Sequence, residues 1–80
     1  MAFTFLRLRE VLRRRGISRS THYDDIDKGL YTKAVPLRTR AIGWPDYEVD
    51  ALNAALIAGK SDDEIRALVQ ELTDKRQFAS

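Results

Sequence analysis

The spacing of apolar residues changes along this chain, and each change marks a new element. Residues 3–8, FTFLRL, form a short β-prone run. Val11 and Leu12 then fall at helical spacing from Leu8, and Arg13, Arg14 and Arg15 close that helix before Gly16. Cations in a last turn, with glycine just beyond, are ordinary helix-stop chemistry. Ser18 is a good N-cap for a second helix over about residues 19–28, with Ile17 placed to pack before it and Gly29 ending it. Only GIS links the two helices, and so tight a glycine-containing turn is a helix-turn-helix signature. On the second helix His22 and Ile26 face one way, while Arg19, Ser20, Tyr23 and Asp27 lie elsewhere on its surface.

The period then shortens. YTKAVPL and RAIGW are β-prone segments about a turn near Arg38 and Thr39, which predicts a two-stranded hairpin with Pro36 at an edge position. Lys33, Arg38 and Arg40 make this hairpin basic, and a hairpin after a helix-turn-helix is a wing. Pro45 suits a first helical turn, with Asp46 and Glu48 favourable near its dipole. Val49, Leu52 and Leu56 carry that helix to about residue 58, where Gly59 and Lys60 break it. SDDE is a capping box, Ser61 with Glu64, and opens a last helix over roughly residues 62–75. Its Ile65, Leu68, Val69 and Leu72 form one amphipathic stripe. RQFAS reads as a frayed tail.

The expected fold is therefore mainly α with a small β-hairpin wing, a winged helix-turn-helix with an extra C-terminal amphipathic helix. The DNA-binding domain covers residues 1–58, the helix of residues 59–75 packs on it or on a partner, and residues 76–80 form the tail. Eighty residues make one small domain whose stability is marginal unless something staples or pairs it. The chain has no cysteine, which excludes disulfides and Cys-ligated metals. No apolar run nears the roughly 18 residues of a membrane span, and no secretory signal opens the chain, so a cytoplasmic protein is expected. Charge is unevenly shared. Residues 1–44 hold ten Lys/Arg against four Asp/Glu, and residues 45–80 hold four against eight. That split suggests that the front half meets a polyanion.

Catalytic chemistry finds little support. His22 is the sole histidine, and Ser18, Ser20 and Asp24 share its short helix and cannot converge on it as a triad requires. The paired aspartates sit at adjacent helix positions, which point apart. One histidine with scattered carboxylates makes no persuasive metal site, and the glycines are isolated rather than a phosphate loop. No catalytic residue, metal or cofactor is expected.

Nucleic-acid recognition fits better. Arg19, Ser20 and Thr21 occupy the first turn of the second helix, the part that meets base edges in such modules. Tyr23, one turn on, can reach a phosphate or pack in the core. Arg13, Arg14 and Arg15 exceed what a helix end needs and are candidates for the DNA backbone. Trp44 reads as a core anchor for the wing. One feature is at odds with this reading: Asp24, Asp25 and Asp27 make the rest of the second helix acidic, and DNA repels carboxylates.

The segments GISRSTHY, GLYTKAVPL, RAIGW and YEVDAL, at this spacing, resemble the AlpA-like prophage regulators, small relatives of phage excisionases with a MerR-type winged helix-turn-helix. The resemblance covers about residues 5–57. It implies sequence-specific binding of a duplex near promoters or attachment sites, as a transcriptional regulator or as a directionality factor for a phage integrase. By matching position, Arg19, Ser20, Thr21 and Tyr23 would be recognition-helix residues, and Arg38 and Arg40 wing residues. The chain departs from the family pattern at His22 and Asp25, where apolar residues are usual, at Asp24, where a basic one is, and at Thr32, which replaces a proline.

Two readings of different class follow. One is the DNA-binding regulator, bacterial or phage-encoded, with possible self-association through Ile65, Leu68, Val69 and Leu72. The other is a winged-helix adaptor that binds protein and has lost DNA reading. Salt dependence separates them, since phosphate contacts weaken steeply as salt rises.

Overall fold

A computed structural model of the protein describes residues 2–38 and 40–76. Four helices pack around a small antiparallel sheet: β1 (Phe5–Leu6), α1 (Leu8–Arg15), α2 (Arg19–Asp27), β2 (Val35–Pro36), β3 (Ile42–Pro45), α3 (Asp46–Ile57) and α4 (Asp62–Lys75). The fold class is the expected one. In detail the sheet has three strands, in the order β1-β3-β2, because the β-prone start pairs with the far side of β3. Phe5 lies opposite Pro45 and Leu6 opposite Trp44. On the other side Val35 faces Gly43 and Pro36 faces Ile42. β2 is thus an edge, where a proline costs no ladder bond.

The first hairpin segment is shorter than its composition predicts. Tyr31 and Thr32 are buried rather than extended in a ribbon, and strand pairing begins only at Val35. Their burial has a clear cause. The Trp44 ring is fully enclosed, and its Nε1 donates to the Thr32 carbonyl at 2.8 Å. An indole N–H needs a partner when buried, and the chain bends inward at Thr32 to supply one.

The α1–α2 turn is built as its sequence predicts. Gly16 takes a left-handed conformation, φ 69°, and donates to the Leu12 carbonyl at 2.8 Å. Only glycine adopts this readily, which is why the helix stops there. Ser18 then caps α2, its Oγ accepting from the Thr21 amide at 3.3 Å. Gly29, φ 77°, ends α2 while the Leu30 amide reaches back to the Asp25 carbonyl at 2.8 Å.

The core gathers Leu6, Val11, Tyr31, Trp44, Val49, Leu52, Ala55, Ile65 and Leu72. Ile65 and Leu72 of the α4 stripe are buried here, with Leu68 and Val69 packed against them. The stripe therefore closes this chain's own core. The Ser61–Glu64 capping box is present, each residue satisfying the other's amide. Arg76, expected to begin a frayed tail, is instead engaged: its Nε and Nη2 donate to the Glu48 carboxylate at 2.8 and 2.6 Å. The rest of the expected tail, residues 77–80, lies outside the described residues, as does Thr39 in the wing turn. Among the described residues no helix is long and apolar enough to cross a membrane.

Candidate nucleic-acid interface

The first turn of α2 is open. Arg19, Ser20 and Thr21 are all exposed and no acidic residue accompanies them there. Thr21 also completes the cap, its Oγ1 accepting from the Ser18 hydroxyl at 3.0 Å. The Arg19 guanidinium carbon stands 5.9 Å from the Tyr23 ring centroid, so Tyr23, half-buried, supports the arginine from one turn on. Among the described residues Arg19 has no carboxylate partner.

The acidity of α2 is resolved residue by residue. Asp25 turns inward, with Oδ2 2.7 Å from Nη2 of Arg15. Asp24 stays at the surface and pairs with Lys28 at 2.8 Å. Asp27 is exposed in the last turn, away from the first. The carboxylates are thus either held by a cation or set back from the polar first turn.

Arg15 corrects one expectation. It is not free for a phosphate, since its side chain is only 7% exposed. Beyond the Asp25 bond, its Nη1 donates to Nδ1 of His22 at 2.8 Å, and its guanidinium carbon lies 3.9 Å from the Tyr31 ring centroid. Because a guanidinium can only donate, His22 must accept at Nδ1, which places the neutral ring's proton on Nε2. The imidazole is fully buried, with edge contacts to Tyr23, Tyr31 and Trp44. Burial, and then the Arg15 charge, lower the His22 pKa to about 4, Asp25 opposing them weakly. Burial likewise pushes the Tyr31 hydroxyl up to about 12. Two of the four residues that depart from the resemblance, His22 and Asp25, thus sit in one cluster with Arg15. Sequence reasoning missed this cluster because its three members look individually like a helix-end cation, an isolated histidine and a surface acid.

The other two helix-end arginines are exposed. Arg13 is drawn to Glu10 at 2.6 Å, and Arg14 meets Asp50 at 3.7 Å. The Arg13 pair is closely hydrogen-bonded, with Nε and Nη2 both donating to the Glu10 carboxylate, whereas the Arg14 pair is a loose surface contact. In the wing, Lys33, Arg38 and Arg40 are exposed and, among the described residues, have no carboxylate partner. The hairpin is closed by the Leu37 amide donating to the Ala41 carbonyl at 2.9 Å.

A short glycine-turned helix pair followed by a hairpin, with an open basic and polar first turn on the second helix, defines a winged helix-turn-helix protein. The chain belongs to the AlpA family: the pattern described as "Prophage CP4-57 regulatory protein (AlpA)" matches residues 4–51. A curated relative, "Uncharacterized protein ORF88" of Enterobacteria phage P4, is 43% identical over 56 residues, which is 70% of this chain. The match spans 64% of that relative's own length. No solved structure matches.

Proposed function

We propose that this chain is a sequence-specific DNA-binding regulator of phage or prophage type, either a transcriptional regulator or an excisionase-like directionality factor acting with a phage integrase. α2 enters the major groove with Arg19, Ser20, Thr21 and Tyr23. Arg pairs with guanine, and the hydroxyls take bases or phosphates. Lys33, Arg38 and Arg40 of the wing hold the backbone or the minor groove, and Arg13 and Arg14 add phosphate contacts. It works without a cofactor, in the cytoplasm of a bacterium. The single observation that carries this reading is the division of charge on α2, an open Arg19-Ser20-Thr21 turn beside carboxylates that are paired or set back.

The test is selection of bound duplexes from a random pool, at two salt concentrations, with Arg19→Ala alongside. Enrichment of one motif, lost or relaxed in the variant, with binding that falls steeply as salt rises, is the expected result. No enrichment and no duplex affinity at low salt would sink the proposal and favour the protein-binding adaptor.

A further inference from the structure

The C-terminal helix lies outside the matched segment, residues 4–51, and so outside what the family pattern explains. Arg66 on this helix and Arg76, its C-cap, take hold of the chain at two particular places. Nε of Arg66 donates to the carbonyl of Lys28, the C-cap of α2, at 2.9 Å. The Arg66 stem passes beside Gly29, where a Cβ, were there one, would stand 3.8 Å from its Cγ. Ten residues on, Nη2 of Arg76 donates to the carbonyl of Lys33, two residues before β2, at 2.9 Å. Residues 28–33 form the link between the second helix and the wing. One helix therefore grips both ends of that link.

We propose that α4 is a brace that fixes the wing relative to the recognition helix, with Arg66 and Arg76 as its positioning residues; this rests on the DNA-reading proposal above. The middle of this irregular link is held by Tyr31 and Thr32, buried beside Trp44, but its two ends, Lys28 and Lys33, are exposed, and it is there that the α4 arginines take hold. The start of α4 is locked by the capping box, and Ile65 and Leu72 pin it in the core. The two grips are separated by about 15 Å of helix rise, a length the helix cannot change. Arg76 is itself anchored, since Glu48 is fully buried in the first turn of α3 and holds two of its nitrogens. A duplex then meets two elements at a preset spacing instead of ordering them on binding.

The brace is tested in the full chain with Arg66→Ala and with the double variant Glu48→Gln/Arg76→Met. Arg66 is half exposed, so its removal leaves the fold intact. Replacing both members of the buried pair avoids stranding the Glu48 charge. Hydrogen exchange is read at the Gly29, Leu30 and Leu37 amides, with the Leu52 amide as control, and affinity is read on the duplex that the wild type selects. The expected result is faster exchange at the first three amides alone. Affinity falls about tenfold or more when the two changes are combined, at a temperature where circular dichroism shows the variants folded. A merely structural role would lower the melting point and leave the affinity of the folded protein unchanged, and that outcome overturns the proposal. Unchanged exchange overturns it as well. If the wild type binds no duplex, the DNA reading fails, while the exchange comparison still decides whether the brace exists.

Discussion

Arg15, at the end of the first helix, and Asp25, in the last turn of the second, are joined at 2.7 Å between Nη2 and Oδ2, a bond that ties the two helices together across their tight turn. The neighbouring Asp24 does something different. It meets Lys28 at 2.8 Å with both side chains more than half exposed, where water and salt screen the pair. Two adjacent carboxylates on one helix thus belong to the interior and to the surface.

Stability should separate them. Asp25→Ala leaves an arginine buried without its main counter-charge and should cost about 3 kcal/mol. Asp24→Ala should cost under about 0.5 kcal/mol. Replacing the inner pair together, as Arg15→Met/Asp25→Leu, should cost less than Asp25→Ala alone, since no stranded charge remains. Urea midpoints check all three, and equal midpoints for the two aspartate variants would contradict the assignment.

His22 makes stability depend on pH. Its folded pKa of about 4 lies below the ordinary value of 6.5. Below pH 6.5 the unfolded chain takes up a proton that the folded chain refuses, so stability is full above 6.5. It falls as the pH drops toward 4 and stops falling through this group below that. The loss should be roughly 3 kcal/mol. Carboxylates also titrate in this range, so the informative quantity is the difference between wild type and His22→Leu. That variant should lose less stability between pH 6.5 and pH 4. Parallel curves would mean that His22 is not held neutral by its burial against Arg15.

Gly16→Ala isolates backbone strain. The residue sits at φ 69°, and a Cβ there would meet no heavy atom within 4 Å. Any loss is therefore conformational rather than steric, about 1 kcal/mol, or a fall of several degrees in Tm for a domain of this size. A thermal melt with no shift would show that the turn relaxes without that conformation.

The helices were legible because their signals are local. Ser18, Gly16, Gly29 and the Ser61–Glu64 box all act within a few residues of themselves, and the stripe on α4 repeats at its own helical period. What escaped is long-range. β1 joins the sheet through a partner some forty residues away, and nothing in FTFLRL names Pro45 and Trp44. Glu48 reads as a first-turn acid favourable to the helix dipole, yet it is buried because Arg76 arrives from the far end of the chain. For the interface, composition locates the open Arg19-Ser20-Thr21 turn but cannot sort the acids behind it. Whether Asp24 or Asp25 faces inward depends on Arg15, which only the packing of α1 on α2 brings within reach.

The same sorting predicts how DNA binding divides among residues. Arg19 stands in the first turn of α2 with no carboxylate partner among the described residues, so Arg19→Ala should relax sequence preference at one position of the site, costing about 1–3 kcal/mol on the preferred duplex. Arg38→Ala and Arg40→Ala remove wing cations with no base to read. Each should weaken all duplexes alike and lower the salt slope by about one. Asp24→Asn runs the other way. Removing a surface carboxylate from the same helix frees Lys28 and lessens repulsion of the phosphates, so non-specific binding should tighten while the preferred duplex gains less. Titrations of the selected and a scrambled duplex, across a series of salt concentrations, measure all four. An Asp24→Asn protein that binds scrambled DNA no better than the wild type would place that carboxylate away from the duplex, and the second helix would then approach DNA by its first turn alone.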